Sequence, residues 1–173
     1  MDALRLRTPE LEIVHGKYVP RTKTGVLVEK PPRSRPARRV SSPGRDRLPE
    51  WLPADEIVGQ EGRNELLVSV ATFEEKGSDV NVASSLLIDV FTDRVDAAMV
   101  LSNDSDLRLP LEAARERVPV ATINPGCKPT AVDLRGSCDT GPGRHWWRRL
   151  RPNDFFEHQL PERLGELTRP DGW

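Results

Sequence analysis

Apolar positions in the second half of the chain change between helical and strand-like spacing. From Val80 to Phe91 they recur every three or four residues, which predicts an amphipathic helix with one face against a core. The run Ala97 to Leu101 is short and wholly apolar, which is typical of a buried strand in a parallel sheet. A second helical pattern, from about Leu107 to Arg117, precedes a second apolar run, Val118 to Ile123. The order helix, strand, helix, strand predicts an α/β domain with a parallel sheet.

Acidic residues stand at the ends of these elements. Asp104 and Asp106 come directly after a predicted strand, so we expect them at the sheet edge where α/β proteins bind ligands. Asp79 begins the first helix, where the helix dipole favours an ionised carboxylate, and Ser78 or Asp79 is the expected N-cap. Ionised carboxylates are ligands that Mg²⁺ or Mn²⁺ prefers. Each acid alone also fits a plain cap or turn residue, but their combination favours a metal site.

Two segments together resemble the NYN domain, a PIN-like nuclease family that includes the LabA-like proteins. They are EEKGSDVNVASSLLIDVF, starting at Glu74, and DAAMVLSNDSDLRLPLEAA, starting at Asp96. Leu11 to Gly16 (LEIVHG) resembles the family's second strand, and Val120 to Gly126 (VATINPG) resembles its last core strand. The ending QLPERLGELTRPDGW is similar to the tail of bacterial members. The similarity is strongest from Phe73 to Gly126.

The resemblance implies a PIN-like three-layer sandwich with a mainly parallel central sheet and the activity of a metal-dependent endoribonuclease. Three acids are expected to bind Mg²⁺ or Mn²⁺ and to act in catalysis, with a fourth assisting them: Asp79, Asp104 and Asp106, then Glu75. Four polar residues of the same motifs are expected to contact the RNA substrate: Lys76, Asn81, Ser102 and Asn103. A solvated loop lysine explains Lys76 equally well.

The family's first strand, which ends in an aspartate that binds metal, has no counterpart here. Asp2 precedes a strand-like run and does not match that acid. We therefore expect an N-terminally truncated or degenerate member, impaired by the loss of one acidic ligand. The alternative is a non-catalytic NYN-like module that binds RNA or a protein. A phosphatase with an aspartate nucleophile is a further alternative, because Asp104 and Asp106 have its two-residue spacing but follow a late strand.

The domain prediction places an NYN-like domain at residues 1–126 and an extension packed on it at 127–173. Seven prolines and an excess of Lys and Arg predict a flexible basic insertion at about 20–53, before a strand from Leu66 to Thr72. Such an insertion could hold an RNA backbone or have no dedicated role. In Arg144 to Arg151 (RHWWRRLR), the tryptophans are expected to pack a terminal helix on the domain rather than to grip RNA.

Composition narrows the classes of protein that fit. The net charge of −1 gives the whole molecule no strong nucleic-acid signature. Cys127 and Cys138 are too few for a zinc site, and the three histidines are isolated in sequence. No signal peptide is visible in this sequence, and no run is long enough or apolar enough to span a membrane. These features predict a cytoplasmic protein without a membrane partner, for which a homo-oligomer or a protein partner stays open.

Overall fold

A computed structural model describes residues 2–29, 37–59 and 62–172, which form a mixed α/β structure. The helices are α1 (Asp2–Arg7), α2 (Ser78–Phe91), α3 (Arg108–Arg115), α4 (Val132–Arg135) and α5 (Pro152–Glu157), with 3-10 turns at Arg45–Arg47 and Ser105–Leu107. The strands are β1 (Lys17–Val26), β2 (Val28–Glu29), β3 (Arg38–Arg39), β4 (Ala54–Val58), β5 (Asn64–Lys76), β6 (Ala98–Leu101), β7 (Val120–Asn124), β8 (Trp146–Arg149), β9 (Arg163–Leu164) and β10 (Leu167–Thr168). The chain divides into two compact units, unit 1 (Met1–Gly16 and Gly77–Trp173) and unit 2 (Lys17–Lys76).

Unit 1 is built on a parallel sheet of three strands in the order β6–β7–β8. All five residues of the central strand β7 are buried. The predicted helices and strands of this region are confirmed as α2, β6, α3 and β7, and the pairing of β6 with β7 is parallel as expected. Strong periodicity accounts for this success, because each of these elements has an apolar pattern of its own.

The core of unit 1 joins α2 and α3 to the parallel sheet. Leu111 and Ala114 of α3 are fully buried, and Pro110 sits in the first turn of that helix, where its missing N–H costs no hydrogen bond. The full buried cluster consists of Val90, Val100, Leu107, Leu111, Ala114, Val118, Val120 and Leu134. Burial of each large apolar side chain contributes about 1.5–3 kcal/mol to folding.

His145 is buried beside β7, although nothing near it in the sequence predicted a role. Its Nδ1 accepts the backbone N–H of Val120 at 3.0 Å, and its Nε2 lies 2.7 Å from the carbonyl oxygen of Thr140. Since Nδ1 accepts and the carbonyl can only accept, Nε2 carries the hydrogen. This neutral imidazole therefore ties the start of β7 to the loop before β8.

Arg115, at the end of α3, is also buried. Its Nη2 donates to the hydroxyl of Thr122 at 3.0 Å and to the carbonyl of Leu134 at 2.6 Å. Its Nε and Nη1 have no partner within the described part of the chain. Burial, partly offset by the charge of Glu112, lowers the pKa of Arg115. Gly136 follows α4 at φ 65°, and a Cβ there would come within 2.6 Å of the guanidinium.

Unit 2 is an antiparallel sheet in the order β1–β5–β4. The long strand β5 pairs with β1 over ten positions, from Lys17 opposite Lys76 to Val26 opposite Leu67. This strand contains the predicted strand Leu66 to Thr72 and extends it in both directions. Among the described residues of unit 2, only Glu65 and Leu66 are buried.

The amino-terminal predictions differ from this architecture. Leu11 to Gly16 is not a strand, and the extended segment begins at Lys17. The predicted flexible insertion at about 20–53 contains most of β1, which pairs with the distant strand β5, and also β2 and β3, which pair with each other. The part of that prediction at residues 30–36 lies outside the described residues, as does Trp173 of the family-like tail.

Residues 127–173, predicted as an extension packed on the domain, belong to unit 1 and contribute β8, which pairs with β7. Trp146 and Trp147 lie in this strand and not in a terminal helix. Their side chains are 47% and 44% exposed, so they are only half covered by the rest of the protein. Among the described helices, none combines the length and the apolar character needed to cross a bilayer.

Candidate functional site

The segment Ser102 to Asp106, here called the acidic turn, follows β6 at the carboxyl edge of the parallel sheet. Ser102 extends the ladder by donating its N–H to the carbonyl of Ile123 at 2.9 Å. The hydroxyl of Ser102 accepts the N–H of Asp104 at 3.1 Å, and Oδ1 of Asp104 accepts the N–H of Asp106 at 3.0 Å. Asp104 is thus the N-cap of the 3-10 turn. These local hydrogen bonds fix the backbone that carries both carboxylates.

Asn103 attaches the acidic turn to the loop after β7. Its Nδ2 donates to the carbonyl of Pro129 at 3.2 Å, and its Oδ1 accepts the N–H of Ala131 at 2.9 Å. Both polar ends of this side chain are therefore engaged within the protein. These hydrogen bonds position the turn, and the predicted contact of Asn103 with substrate stays a prediction.

Asp79 and Asn81 lie in the first turn of α2, apart from the acidic turn in sequence. The N-cap of this helix is Gly77, with φ 98° and no side-chain hydrogen bond, so neither Ser78 nor Asp79 caps the helix as expected. The left-handed φ of Gly77 suits glycine, which has no Cβ to clash. Asp79 is exposed, whereas Asn81 is half-buried and lines a groove of about 680 Å³ along α2 and β6.

Glu75 and Lys76 are the last residues of β5 and belong to unit 2. Lys76 is exposed and pairs with Glu74, its Nζ lying 3.0 Å from a carboxylate oxygen; Lys23 contacts the other oxygen at 2.8 Å. Hydrogen bonds from Lys23 and then Lys76 hold the pKa of Glu74 at about 2. Lys76 was predicted to contact phosphate. A phosphate group would have to compete with Glu74 for its ammonium group.

The three predicted metal ligands lie in two segments: Asp79 in α2, and Asp104 with Asp106 in the acidic turn. Across the residues that the structure describes, no three or more His, Cys, Asp or Glu side chains are arranged to hold a metal ion. Asp104 and Asp106 share the acidic turn, but Asp79 does not complete a three-carboxylate site with them. Mg²⁺ often binds through one or two carboxylates, with water and substrate phosphates filling the other positions. A site of this kind would need only the two carboxylates of the acidic turn, Asp104 and Asp106.

Asn124 is a site residue that the sequence did not single out. It is the last residue of β7 and is fully buried. Its Nδ2 donates to the carbonyl of Lys128 and to the hydroxyl of Thr130, and its Oδ1 accepts the N–H of Gly126. The only sequence signal is its place before Pro125 and Gly126, which indicates a turn. Together with Asn103 it shapes the loop beside the acidic turn.

Comparisons with known proteins found no match for the chain among family models, curated proteins or solved structures. The likeness to the NYN domain therefore rests on the sequence motifs alone. The mixed α/β fold with a parallel three-stranded sheet is compatible with that likeness.

Proposed function

We propose that this chain is an NYN-like domain with a PIN-like three-layer arrangement that hydrolyses phosphodiester bonds in RNA with the help of Mg²⁺ or Mn²⁺. The observation that carries the proposal is the acidic turn, with two carboxylates at the carboxyl edge of a parallel sheet. Short loops after parallel strands are the usual place for ligand binding in such sheets. The preceding residues hold this turn in place before any substrate arrives.

Asp104 and Asp106 would hold the metal ion. Oδ1 of Asp104 is used as a cap, while its second oxygen accepts no hydrogen bond from the described residues. Asp106 is exposed, so its carboxylate is available to a ligand. When bound, the ion would neutralise phosphate charge and make a water molecule more acidic. Asp79 and Asn81, at the start of α2, stay in the proposal as contributors.

The test is cleavage of a labelled single-stranded RNA in Mn²⁺, with and without EDTA. Asp104→Asn keeps a capping side chain, because Asn and Asp are equally good N-caps, but removes the charge. We expect about a 100-fold loss of rate for this variant, as is common when a charge-stabilising group is removed. Asp171→Asn is the matched control, since it removes one exposed carboxylate elsewhere in unit 1. Unchanged cleavage by Asp104→Asn would overturn the site assignment.

A second candidate function is a non-catalytic module that binds RNA or a protein. It is favoured by the finding that no three acids within the described ranges form a metal-binding group. RNA binding in EDTA together with no cleavage in Mn²⁺ would support it. Metal-dependent cleavage that is lost in Asp104→Asn would exclude it.

A further inference from the structure

A cleft of about 490 Å³ opens beside the acidic turn, at the carboxyl end of β8. It is lined by Pro129, Thr130, Trp147, Arg148, Arg149 and Arg151. One wall, at Pro129 and Thr130, is the segment that Asn103 binds from the acidic turn. The buried Asn124 also donates to the hydroxyl of Thr130, which is itself buried. This wall is therefore held from two sides before any ligand binds.

The other wall carries three arginines, Arg148, Arg149 and Arg151, beside the single carboxylate of Asp154. Arg148 pairs with Asp154, which also accepts the backbone N–H of Arg151 at 2.6 Å. Arg149 donates from Nη1 to the carbonyl oxygen of Cys127 at 3.3 Å, which is a neutral acceptor. In the ranges that the structure covers, neither Arg149 nor Arg151 forms an ion pair within 4.0 Å of a carboxylate. Both side chains are exposed, so their charge faces solvent.

Arg135 adds a further cation behind Trp147. Its guanidinium lies 4.7 Å from the centre of the indole ring, and its Nη2 donates to the carbonyl of Thr130 at 3.0 Å. Its Nε is buried and has no partner among the residues described. The stacked guanidinium fixes the tryptophan and increases the positive potential of the cleft. A rigid wall with an aromatic edge and more arginines than neighbouring carboxylates is a surface suited to a polyanion.

We propose that this cleft binds the phosphodiester backbone of single-stranded RNA through Arg149 and Arg151, next to the acidic turn. The inference rests on the proposed function, because it assigns the surface that would hold the substrate of that site. Each guanidinium presents a planar set of N–H donors that matches two phosphate oxygens. Arg149 ends β8, and the backbone of Arg151 is also extended. Because an extended chain rises about 3.3 Å per residue, the Cα atoms of the two arginines are expected to lie about 6.6 Å apart.

A local patch of this kind explains how a chain with a net charge of −1 could bind nucleic acid. The affinity would come from the release of counterions from the RNA, so it would fall as salt increases. Each phosphate contact on a single strand contributes about 0.7 to the slope of log K against log salt concentration. Two arginine contacts should therefore account for about 1.4 of that slope.

The test measures binding of a labelled 12-nucleotide single-stranded RNA by fluorescence anisotropy in EDTA, where cleavage cannot interfere. We expect Arg149→Gln with Arg151→Gln to weaken binding at least about ten-fold and to lower the salt slope by about 1.4. The matched control, Arg7→Gln with Arg163→Gln, removes the same charge from exposed positions and should change affinity less than about two-fold. Arg149→Lys with Arg151→Lys keeps the charge, so it should retain the wild-type salt slope, but it should recover only part of the affinity because lysine cannot match two phosphate oxygens at once.

Three results would overturn the inference, provided that circular dichroism shows every variant folded. The first is wild-type affinity and salt slope in the double Gln variant. The second is an equal loss in the control, which would mean that general charge explains binding. The third is displacement of RNA by polyglutamate or inorganic phosphate as effectively as by unlabelled RNA, which would indicate a general anion site.

The outcome is separable from that of the proposed function. If the arginine variants lose binding but the wild-type protein cleaves no RNA in Mn²⁺, the cleft assignment stands and the ribonuclease proposal fails. If the protein cleaves RNA and the double Gln variant cleaves and binds equally well, the ribonuclease proposal stands and the cleft assignment fails.

Discussion

The two units each contain a three-stranded sheet, but they are stabilised in different ways. In unit 1 the central strand β7 is buried along its whole length. In unit 2 the central strand β5 is mostly exposed or half-buried, with Glu65 and Leu66 as its buried positions. A parallel sheet is normally covered by helices, while an antiparallel sheet can leave a face in water. Strand number alone therefore says little about how much core a sheet contributes.

The interactions in the two units follow this difference. Unit 1 combines an apolar cluster with buried hydrogen bonds from His145, Arg115 and Asn124. Unit 2 has a ten-position backbone ladder and ion pairs near the surface, among them Lys23 with Glu74. Exposed ion pairs contribute little to stability, because solvent screens their charges. We expect changes in the core of unit 1 to cost more stability than changes on the sheet of unit 2.

The largest expected effect is that of Leu111→Ala in α3. Leu111 is fully buried, so truncation leaves a cavity and should cost about 3 kcal/mol of unfolding free energy. The matched control is Leu109→Ala in the same helix, where the side chain is 72% exposed and the cost should be below about 0.5 kcal/mol. Urea denaturation followed by tryptophan fluorescence measures both. Similar costs for the two variants would contradict the assigned core.

An intermediate effect is expected for His145→Ala. The change removes two hydrogen bonds and leaves the buried N–H of Val120 without its acceptor, which should cost about 2 kcal/mol. His158→Ala is the control, because that ring is exposed and its Nδ1 lies 2.9 Å from the carbonyl oxygen of Asp154 in the same short helix region. Hydrogen exchange at Val120 should rise in the first variant only. Protection that persists in His145→Ala would show that the imidazole is not needed to hold β7.

The smallest expected effect is a pH dependence in unit 2. The pKa of Glu74 is about 2 in the folded chain and lies below its ordinary value of 4.5. Its ionised form therefore stabilises the folded sheet above about pH 4.5, and this contribution is lost as the pH falls towards 2. Glu74→Gln should remove this acid-dependent loss, whereas Asp55→Asn, on an exposed position of β4, should leave it.

Hydrogen exchange of the β1 amides, measured between pH 5 and pH 2.5, tests this prediction. Because Glu74 is near the surface, the effect should disappear in about 1 M salt, where the screening length falls to about 3 Å. An acid-dependent loss that persists in high salt, or in Glu74→Gln, would assign it to another group.

The elements that could be predicted from sequence are those whose own residues carry the pattern. The helical spacing of α2 and the apolar runs of β6 and β7 need no distant partner to be recognised. In contrast, β1 (KYVPRTKTGV) is polar and contains a proline, and it is a strand because β5, which is distant in sequence, pairs with it. The strand β8 (WWRR) has no alternation, and its pairing with β7 depends on residues more than twenty positions away.

The same distinction applies to the candidate site. The acidic turn was predictable, because Ser, Asn and Asp directly after an apolar strand indicate a loop at the sheet edge. The hydrogen bonds from Asn103 to Pro129 and Ala131 could not be predicted, because they join residues that are far apart in sequence. Whether Asp79 would join Asp104 and Asp106 depended on such tertiary placement as well.

The buried Arg115 has a consequence for how this sequence can change over generations. A shorter residue at position 115 would leave unfilled space beside Gly136, where the guanidinium now lies. The φ of 65° and ψ of 176° at Gly136 are suited to glycine, so a side chain cannot arise there to fill the gap. A shorter side chain at position 115 therefore cannot be compensated by a larger side chain at position 136. Descendants of this chain would be expected to keep the arginine and the glycine as a pair.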